Sequence, residues 1–431
     1  MRVIRTGSEA FDLEFRRIRH RGDLVEEFEN VVRPILKDVA ARGDEAVFEY
    51  TRKYDASILD SRTVEVTPQE MEQAVSSLAS RDLEILELAA ARIEHYHRKQ
   101  LMESRVDADE DGIELGYIIR PLERVGIYAP GGLAVYPSTV LMAAIPARIA
   151  GVSEIILVTP AKGGRMNPFI LAAARLAGVH RVFKVGGAQA IAALAYGTAS
   201  IPPVDKIVGP GNAYVTAAKK IVFGTVGIDM TAGPSEVLII SDGTADPVVA
   251  AADLLSQAEH DCMACSILLT PHQKFANKVA SEVESQIKKL SKGSIVERAI
   301  ADFGAVIITR DMDEAIEVAN RFAPEHLQLM VANPGEMLGR IRNAGAVFLG
   351  YTTPEVIGDY LAGPSHILPT GGAARFASPL GVYDFLKRTS VISFSREALG
   401  RYAEAARRFA EMEKLDAHGN SITVRLNPKK S

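Results

Sequence analysis

The sequence predicts an α/β protein with mainly parallel sheets. After Arg120, short β-branched runs closed by Gly, Pro or Asp alternate with Ala-rich helical stretches, which is the pattern of repeated strand–helix units. A second observation is a weak internal repeat, called the internal echo below. The segments AAIPARIAGVSEIILVTP and AAADLLSQAEHDCMACSILLTP share the order helix, strand, Thr-Pro. Two related α/β domains would explain this echo, although any helix that leads into a proline-terminated strand gives the same pattern.

The predicted elements follow one another in a simple order. From about Glu26 to Gln100 the apolar residues recur at helical spacing, with charges on the opposite face. The predicted strands are then RVGIY, EIILVTP, RVFKVGG, DKIVGPG, EVLIISDG, SILLTP, GAVIITR, GAVFLG and VISFS. After Phe385 we expect a last strand, an amphipathic helix from about Arg396 to Lys414, and a polar end, DAHGNSITVRLNPKKS.

Composition narrows the class of protein. A chain of 431 residues suggests two to three domains. Lys and Arg total 49 against 54 Asp and Glu, a net charge of −5, so no broad cationic surface for nucleic acid is expected. The N-terminal MRVIRTGSEAFDLEF lacks a signal-like apolar region, and no apolar run is long enough to span a bilayer. With only two cysteines, the chain is expected to be cytoplasmic, without a membrane partner.

Three glycine-rich loops predict a nucleotide-binding crevice. They are YAPGGLAVYPS from Tyr128, VGGAQAIAALAYG from Val185 and VGPGNAYVTAAKK from Val208, each between a predicted strand and a helix. The G-x-G-x-x-G fingerprint of dinucleotide-binding folds is absent. Ligands of open α/β sheets bind at the carboxyl ends of the strands, so three such loops together favour this crevice. Each glycine taken alone could simply end a strand.

Several polar residues could bind a metal ion. Gln257 and His260 lie three residues apart in DLLSQAEHD and would share one face of a helix. Asp359 and His366 flank the turn GDYLAGPSH, and His418 lies in the expected C-terminal loop. Nitrogen and oxygen donors of this kind suit zinc. A single histidine is more often a hydrogen-bonded or solvated residue than a ligand, and spacing alone does not join these five.

Glu325 and His326 place an acid beside an imidazole in APEHLQLMV. A histidine with a pKa near neutrality is the usual proton acceptor, and a neighbouring glutamate can orient it or activate water. The same residues also fit the start of a helix, with Pro first and an acid in the first turn. Cys262 and Cys265 form C-x-x-C, for which burial as small apolar side chains is the better interpretation.

Eight strings together resemble the histidinol dehydrogenase family. In chain order they are YAPGG, GGAQAIAALAYGT, KIVGPGNAYV, DMTAGPSEVLI, DLLSQAEHD, APEHLQL, GDYLAGPSH and DAHGNS, and they cover the chain from about Tyr128 to its end. The resemblance implies a zinc-dependent, NAD-linked enzyme that converts L-histidinol through L-histidinaldehyde to L-histidine, the final steps of histidine biosynthesis. The cysteine pair departs from the family pattern, which requires no cysteine there, so a covalent route through a thiol has to be excluded.

The resemblance also implies a role for individual residues. Glu325 and His326 would be catalytic. The implied zinc ligands are Gln257, His260, Asp359 and His418, and the implied NAD contacts are Tyr128, Gln189 and Asn212. The implied substrate contacts are Ser235, Gln257, His260, His326, Asp359, His366, Glu413 and His418.

The family fold implies two related Rossmann-like domains with short terminal tails. The expected division is an N-terminal tail at 1–25, a first domain at 26–128 and 237–380, an inserted NAD-side domain at 129–236, and a C-terminal tail at 381–431. The tails would embrace a second subunit in a homodimer with shared active sites. Two alternatives remain open on the residues alone. They are a zinc hydrolase with the same His, Asp and Glu set, and a non-catalytic nucleotide-binding scaffold.

Overall fold

The computed structural model describes residues 1–19, 21, 25–109, 111–131, 135–290 and 293–427. It is a mixed α/β structure with mainly parallel sheets, as predicted. The chain divides into two compact units. The first comprises Met1–Gln100 and Leu122–Phe385, and the second comprises Leu101–Pro121 and Leu386–Ser431.

The strands and helices are numbered in chain order. The strands are β1 (Arg2–Arg5), β2 (Arg105–Ala108), β3 (Ile113–Pro121), β4 (Arg124–Tyr128), β5 (Glu154–Val158), β6 (Arg181–Phe183), β7 (Lys206–Val208), β8 (Gly227–Ile228), β9 (Glu236–Ser241), β10 (Cys265–Thr270), β11 (Gly304–Ile308), β12 (His326–Met330), β13 (Ala346–Leu349) and β14 (Leu386–Phe394). The helices are α1 (Glu9–Arg19), α2 (Val25–Arg42), α3 (Asp44–Asp55), α4 (Pro68–Ser76), α5 (Ser80–His97), α6 (Pro137–Ala150), α7 (Pro168–Ala177), α8 (Gly187–Tyr196), α9 (Ala213–Val222), α10 (Pro247–Ala258), α11 (Gln273–Ile287), α12 (Gly293–Phe303), α13 (Met312–Phe322), α14 (Pro334–Leu338), α15 (Glu355–Tyr360), α16 (Arg396–Met412) and α17 (Asp416–Leu426).

The first unit contains two parallel sheets. In the part of the chain that the structure describes, one sheet has the order β1-β11-β10-β9-β12-β13 and the other the order β6-β5-β4-β7-β8. Strands β9, β10 and β12 are buried along their whole length, which explains why their sequences are continuous apolar runs rather than alternating ones.

Both sheets have the same strand order when their strands are numbered along the chain. The order is 3-2-1-4-5 in each, starting at β9 in one sheet and at β4 in the other, with β1 added at an edge. This is the doubly wound order of Rossmann-like folds. The shared order supports the interpretation of the internal echo as two related domains.

The helices before β4 pack differently from the expected division. Buried residues of α2 and α3, such as Leu36 and Val47, belong to the same core cluster as Phe183 in β6. Strand β4 lies in the middle of the five-stranded sheet, paired with β5 and β7. The apolar faces of the early helices therefore cover the sheet that was expected to begin only after residue 128.

The second unit contains an antiparallel sheet and two helices. Strand β3 pairs with β14 and with β2, so residues 101–121 belong with the C-terminal segment rather than with the first domain. Helix α16 confirms the amphipathic helix predicted near Arg396. The prediction of a C-terminal loop was wrong, because residues 416–426 form α17. The polar sequence of this segment gives no apolar pattern that would predict a helix. The helix depends on packing against α16, where Gly419 lies against Ala410.

Candidate active site

A cavity of about 460 Å³ lies where the two parallel sheets of the first unit end. Its lining includes Pro130 and Gly209, which follow β4 and β7, and Ser235 and Glu325, which precede β9 and β12. The cavity therefore meets the carboxyl ends of the five-stranded sheet and the amino ends of the six-stranded sheet. Strands β4 and β7 flank the point where strand order reverses, the usual ligand position of such folds.

Most of the predicted site residues meet at this cavity. Its lining includes the predicted residues Asn212, Ser235, Gln257, His260, Glu325, His326, Asp359 and His366. Tyr128 and Gln189 do not line it, and both side chains are buried. Glu413 directly follows α16 and His418 lies in α17, so both belong to the second unit, where they are exposed.

His326 is a buried imidazole at the first position of β12. The alternative interpretation of this sequence as a helix start was wrong, because parallel pairing with β9 and β13 makes the segment a strand. Its Nδ1 lies 3.0 Å from the Glu236 carbonyl oxygen, which can only accept, so Nδ1 carries the hydrogen. Its Nε2 is buried and has no hydrogen-bond partner among the described residues. Burial lowers the pKa of His326 to about 3, so the ring is neutral at physiological pH.

Glu325 lies beside His326 and is also buried. Its Oε2 accepts a hydrogen bond of 2.8 Å from the backbone N–H of Glu236. Burial, followed by the charge of the Glu236 side chain, raises the pKa of Glu325 well above its usual range. A raised pKa makes the Glu325 carboxylate a stronger proton acceptor, whereas the lowered pKa of His326 makes its imidazole a weaker one. The two residues form a candidate acid–base pair in which Glu325 is the stronger base.

Three side chains form a candidate metal group. The group consists of His260, Glu355 and Asp359. Each residue offers one ligand atom, and these three atoms lie within 4.8 Å of one another. Gln257 and His260 are close, but α10 ends at Ala258, so His260 follows the helix instead of sharing its face. The Gln257 carboxamide is satisfied when its nitrogen donates to Glu355 Oε1 at 2.9 Å. The amide oxygen is then the atom that can bind a cation.

Asp359 is linked to His366 at the edge of this group. The His366 Nδ1 donates to the Asp359 carbonyl oxygen at 3.1 Å, which leaves Nε2 to accept from the Thr139 hydroxyl at 3.1 Å. Burial lowers the pKa of His366 to about 4 and raises the pKa of Asp359 to about 6. A neutral His366 thus ties α15 to α6, and a cation beside Asp359 would favour its ionised form.

The residues expected to contact NAD surround the ends of β4 and β7. Gly209 has φ 111°, and a Cβ there would lie 2.1 Å from the Tyr128 carbonyl oxygen, so the close approach of these strands requires glycine. Asn212 caps α9 by accepting from Val215 N–H at 3.1 Å. The Tyr128 hydroxyl accepts from Gly187 N–H at 3.2 Å, and Gln189 Nε2 is buried without a partner among the described residues.

Sequence reasoning missed three buried residues of the site. Glu236 contacts both Glu325 and His326, Arg21 pairs with Glu236, and Glu355 contacts Gln257. Glu236 lies within the motif DMTAGPSEVLI, and Glu355 lies shortly before GDYLAGPSH. A single carboxylate beside an apolar run has, however, no local pattern that marks it as a site residue. Only their partners, which are remote in the chain, reveal them.

The two thiols are poor nucleophiles. Cys265 is fully buried at the start of β10, as predicted, and burial raises its pKa to about 12. Cys262 is only half-buried, so its prediction as a buried residue was wrong, and its pKa is raised by burial and by Asp261. Reactive cysteines instead have lowered pKa values.

We expect Cys262→Ala and Cys265→Ala to retain most of the turnover, because neither thiol is activated. Steady-state rates of each folded variant, compared with the unaltered protein, test this expectation. A loss of more than about a hundredfold, about 2.7 kcal/mol of transition-state stabilisation, in a folded variant would instead favour covalent catalysis through that thiol.

Comparisons with known proteins place the chain beside one group of enzymes. The histidinol dehydrogenase family model matches residues 19–426. The chain is 54% identical over 418 residues to histidinol dehydrogenase of Geobacter metallireducens, covering 96% of each chain. It is 53% identical over 408 residues to that of Aquifex aeolicus, covering 94% of this chain and 95% of the relative. The crystal structure of histidinol dehydrogenase from Elizabethkingia anophelis matches with a TM-score of 0.90 at 36% identity, covering 100% of this chain and 99% of that one.

Proposed function

The chain belongs to the histidinol dehydrogenase family, and we propose that it oxidises L-histidinol through L-histidinaldehyde to L-histidine, using zinc and NAD. The observation that carries this proposal is the cavity, in which a neutral buried imidazole, a carboxyl group of raised pKa and a candidate metal group lie together. Such a reaction needs a proton acceptor for the alcohol and a second group to help hydrate the aldehyde.

The donor set fits zinc. Gln257, His260 and Asp359 would supply two oxygens and one nitrogen, which are ligand atoms that zinc binds in proteins. Glu355 would hold the Gln257 carboxamide with its oxygen free for the ion. Bound zinc would position the imidazole and amino nitrogens of the substrate. We propose His418 of a second copy as a further ligand, with Glu413 beside the substrate.

The arrangement beside β4 and β7 fits NAD, which would accept a hydride in each oxidation. Asn212 lines the cavity next to the Gly209 loop, and the unpartnered Gln189 Nε2 offers a donor close to Tyr128. We therefore keep Tyr128, Gln189 and Asn212 as the proposed cofactor contacts.

Two residues would move protons. His326 Nε2 accepts the proton of the substrate hydroxyl, since Nδ1 already donates to the Glu236 carbonyl oxygen. Glu325 accepts a proton from the water that hydrates the aldehyde, and positioning of the aldehyde in the cavity limits its loss. Ser235 and His366 line the same cavity and are proposed substrate contacts. The protein is proposed to act in the cytoplasm, where its free cysteines stay reduced.

Incubation with L-histidinol and NAD tests the whole proposal. We expect NADH to form with two equivalents per histidinol consumed, followed by its absorbance, and L-histidine to appear as the product. Consumption of the substrate without NADH would indicate hydrolysis, and binding of NAD without turnover would indicate a nucleotide-binding scaffold. Either result would overturn the proposed oxidation.

We expect Glu325→Gln to slow oxidation of histidinaldehyde more than oxidation of histidinol. The reason is that hydration of the aldehyde draws on the Glu325 carboxylate, whereas His326 removes the first hydroxyl proton. Rates measured separately with the alcohol and the aldehyde as starting substrates give the two losses. Equal losses would mean that Glu325 only orients its neighbour, and the role in water activation would be wrong.

A further inference from the structure

One buried residue contacts both members of the acid–base pair. The Glu236 backbone N–H donates to Glu325 Oε2 at 2.8 Å, and Glu236 Oε2 accepts from the Glu325 backbone N–H at 3.2 Å. The Glu236 carbonyl oxygen accepts from His326 Nδ1 at 3.0 Å. Glu236 therefore holds the Glu325 side chain and the His326 ring through its backbone, and the Glu325 backbone through its carboxylate.

Arg21 keeps the Glu236 carboxylate in place. Its guanidinium donates to Glu236 Oε1 at 2.8 Å, and both side chains are only 1% exposed. The same guanidinium donates to the carbonyl oxygens of Ile18 at 2.8 Å and Met263 at 3.1 Å. Glu236 Oε1 also accepts from Gly371 N–H at 3.2 Å, while Oε2 accepts from the Glu325 N–H. Both oxygens of this buried carboxylate are therefore hydrogen-bonded.

A buried ion pair is by itself a weak source of stability, because removing two charges from water offsets most of their attraction. A fully hydrogen-bonded buried network does, however, fix side-chain geometry. Here the network fixes Glu325 and His326, the two residues that are proposed to move protons. Small misplacements of reacting groups are costly for turnover, about a hundredfold for a shift of about 1 Å.

We propose that Glu236, paired with Arg21, is a positioning residue that holds Glu325 and His326 in their reacting orientation. The proposal rests on the proposed function, since that function assigns the proton transfers to these two residues. It predicts an effect on the rate of the chemical steps and on the His326 ring, with little change in zinc content or in the KM for histidinol.

The test uses the full-length protein and three variants. Arg21→Met/Glu236→Gln removes both charges together, so no unpaired charge is left buried. Glu236→Asp keeps the charge but shortens the side chain, so that the carboxylate no longer reaches the Glu325 N–H. Glu14→Gln is the matched control, because Glu14 is a partly buried carboxylate paired with Arg2 and Arg17 that does not line the cavity.

We expect kcat per zinc-loaded site to fall about a hundredfold for the double variant and for Glu236→Asp, on histidinol and on histidinaldehyde. The KM for histidinol and the zinc content should stay within about twofold, because the proposed metal residues are untouched. Glu14→Gln should match the unaltered protein in all three quantities.

The imidazole of His326 supplies a readout that does not depend on turnover. In protein labelled with ¹⁵N histidine, the His326 signal is assigned by its loss in His326→Ala. The Glu236 carbonyl oxygen is a backbone atom that both Glu236 variants keep, so the ring responds through displacement of that backbone when the carboxylate contacts are lost. We expect the Nδ1–H tautomer alone in the unaltered protein and in Glu14→Gln, and a mixture of tautomers in the Glu236 variants. Inactivity of the unaltered protein would count against the proposed function only, since this readout still applies.

Unchanged kcat and an unchanged tautomer in either Glu236 variant would overturn the positioning role. A parallel loss of kcat, zinc content and substrate affinity would also overturn it, because that pattern indicates a general structural role. If the double variant does not fold, Glu236→Asp, which keeps the negative charge beside Arg21, decides between these outcomes.

Discussion

Replacing His260 with asparagine should release most of the bound zinc and lower turnover of both substrates by about 10–100-fold or more. The imidazole is one of three side chains whose ligand atoms lie within 4.8 Å of one another, and asparagine offers neither its reach nor its nitrogen. Zinc per chain, measured by atomic emission after gel filtration, and NADH formation give the two quantities. Dialysis of the unaltered protein against a chelator should likewise abolish turnover, and added zinc should restore it.

A matched control is His95→Asn, since His95 is an exposed histidine of α5 that does not line the cavity. It should leave zinc content and rate unchanged. A fully active protein that retains no divalent metal after dialysis would refute the metal assignment, whatever the effect of substituting His260.

The second large effect is complementation between two inactive variants. His326→Ala lacks the proposed proton acceptor, and His418→Ala lacks a ligand that we propose comes from the other copy, so each homodimer should be inactive. In a mixed dimer both lesions fall in one site, and the other site is intact. Random exchange makes half of the dimers mixed, each with one good site of two, so activity should recover to about one quarter of the unaltered level.

Two affinity tags, one on each variant, allow the mixed dimers to be isolated and assayed for NADH formation. Exchange that is verified by the tags but restores no activity would eliminate the shared site, because sites built within one chain would each carry a lesion. That outcome would leave the roles of zinc and of His326 untouched. Doubly tagged dimers of the unaltered protein serve as the reference for full activity.

Local patterns in the sequence were sufficient for the fold class. The helical spacing up to Gln100 and the β-branched runs after Arg120 predict elements that the structure contains, because periodicity reports the burial of one face of an element. The polar C-terminal segment shows where this reasoning fails. Residues 416–426 lack a clear apolar stripe, and their helix depends on packing against α16.

The order of the motifs likewise predicted the family, and eight of the predicted site residues line the cavity. The pair Glu325 and His326 was recognisable as adjacent acid and base, although its position at the start of a strand was not. The strand depends on β9 and β13, which pair with it from distant parts of the chain. A short segment with Pro and an acid at its start is compatible with a helix or with a strand. Only the pairing with β9 and β13 makes it a strand.

By itself, then, the sequence determined the α/β class, the repeated strand–helix order and the candidate side chains. Tertiary structure alone decided that the cavity lies at the amino ends of one sheet and the carboxyl ends of the other, that early helices cover the five-stranded sheet, and that Tyr128 and Gln189 are buried. It also decided that Arg21 meets Glu236, 215 residues away. The physical reason is that propensity and periodicity act between near neighbours in the chain, whereas a buried charge is stabilised only by partners that packing brings to it.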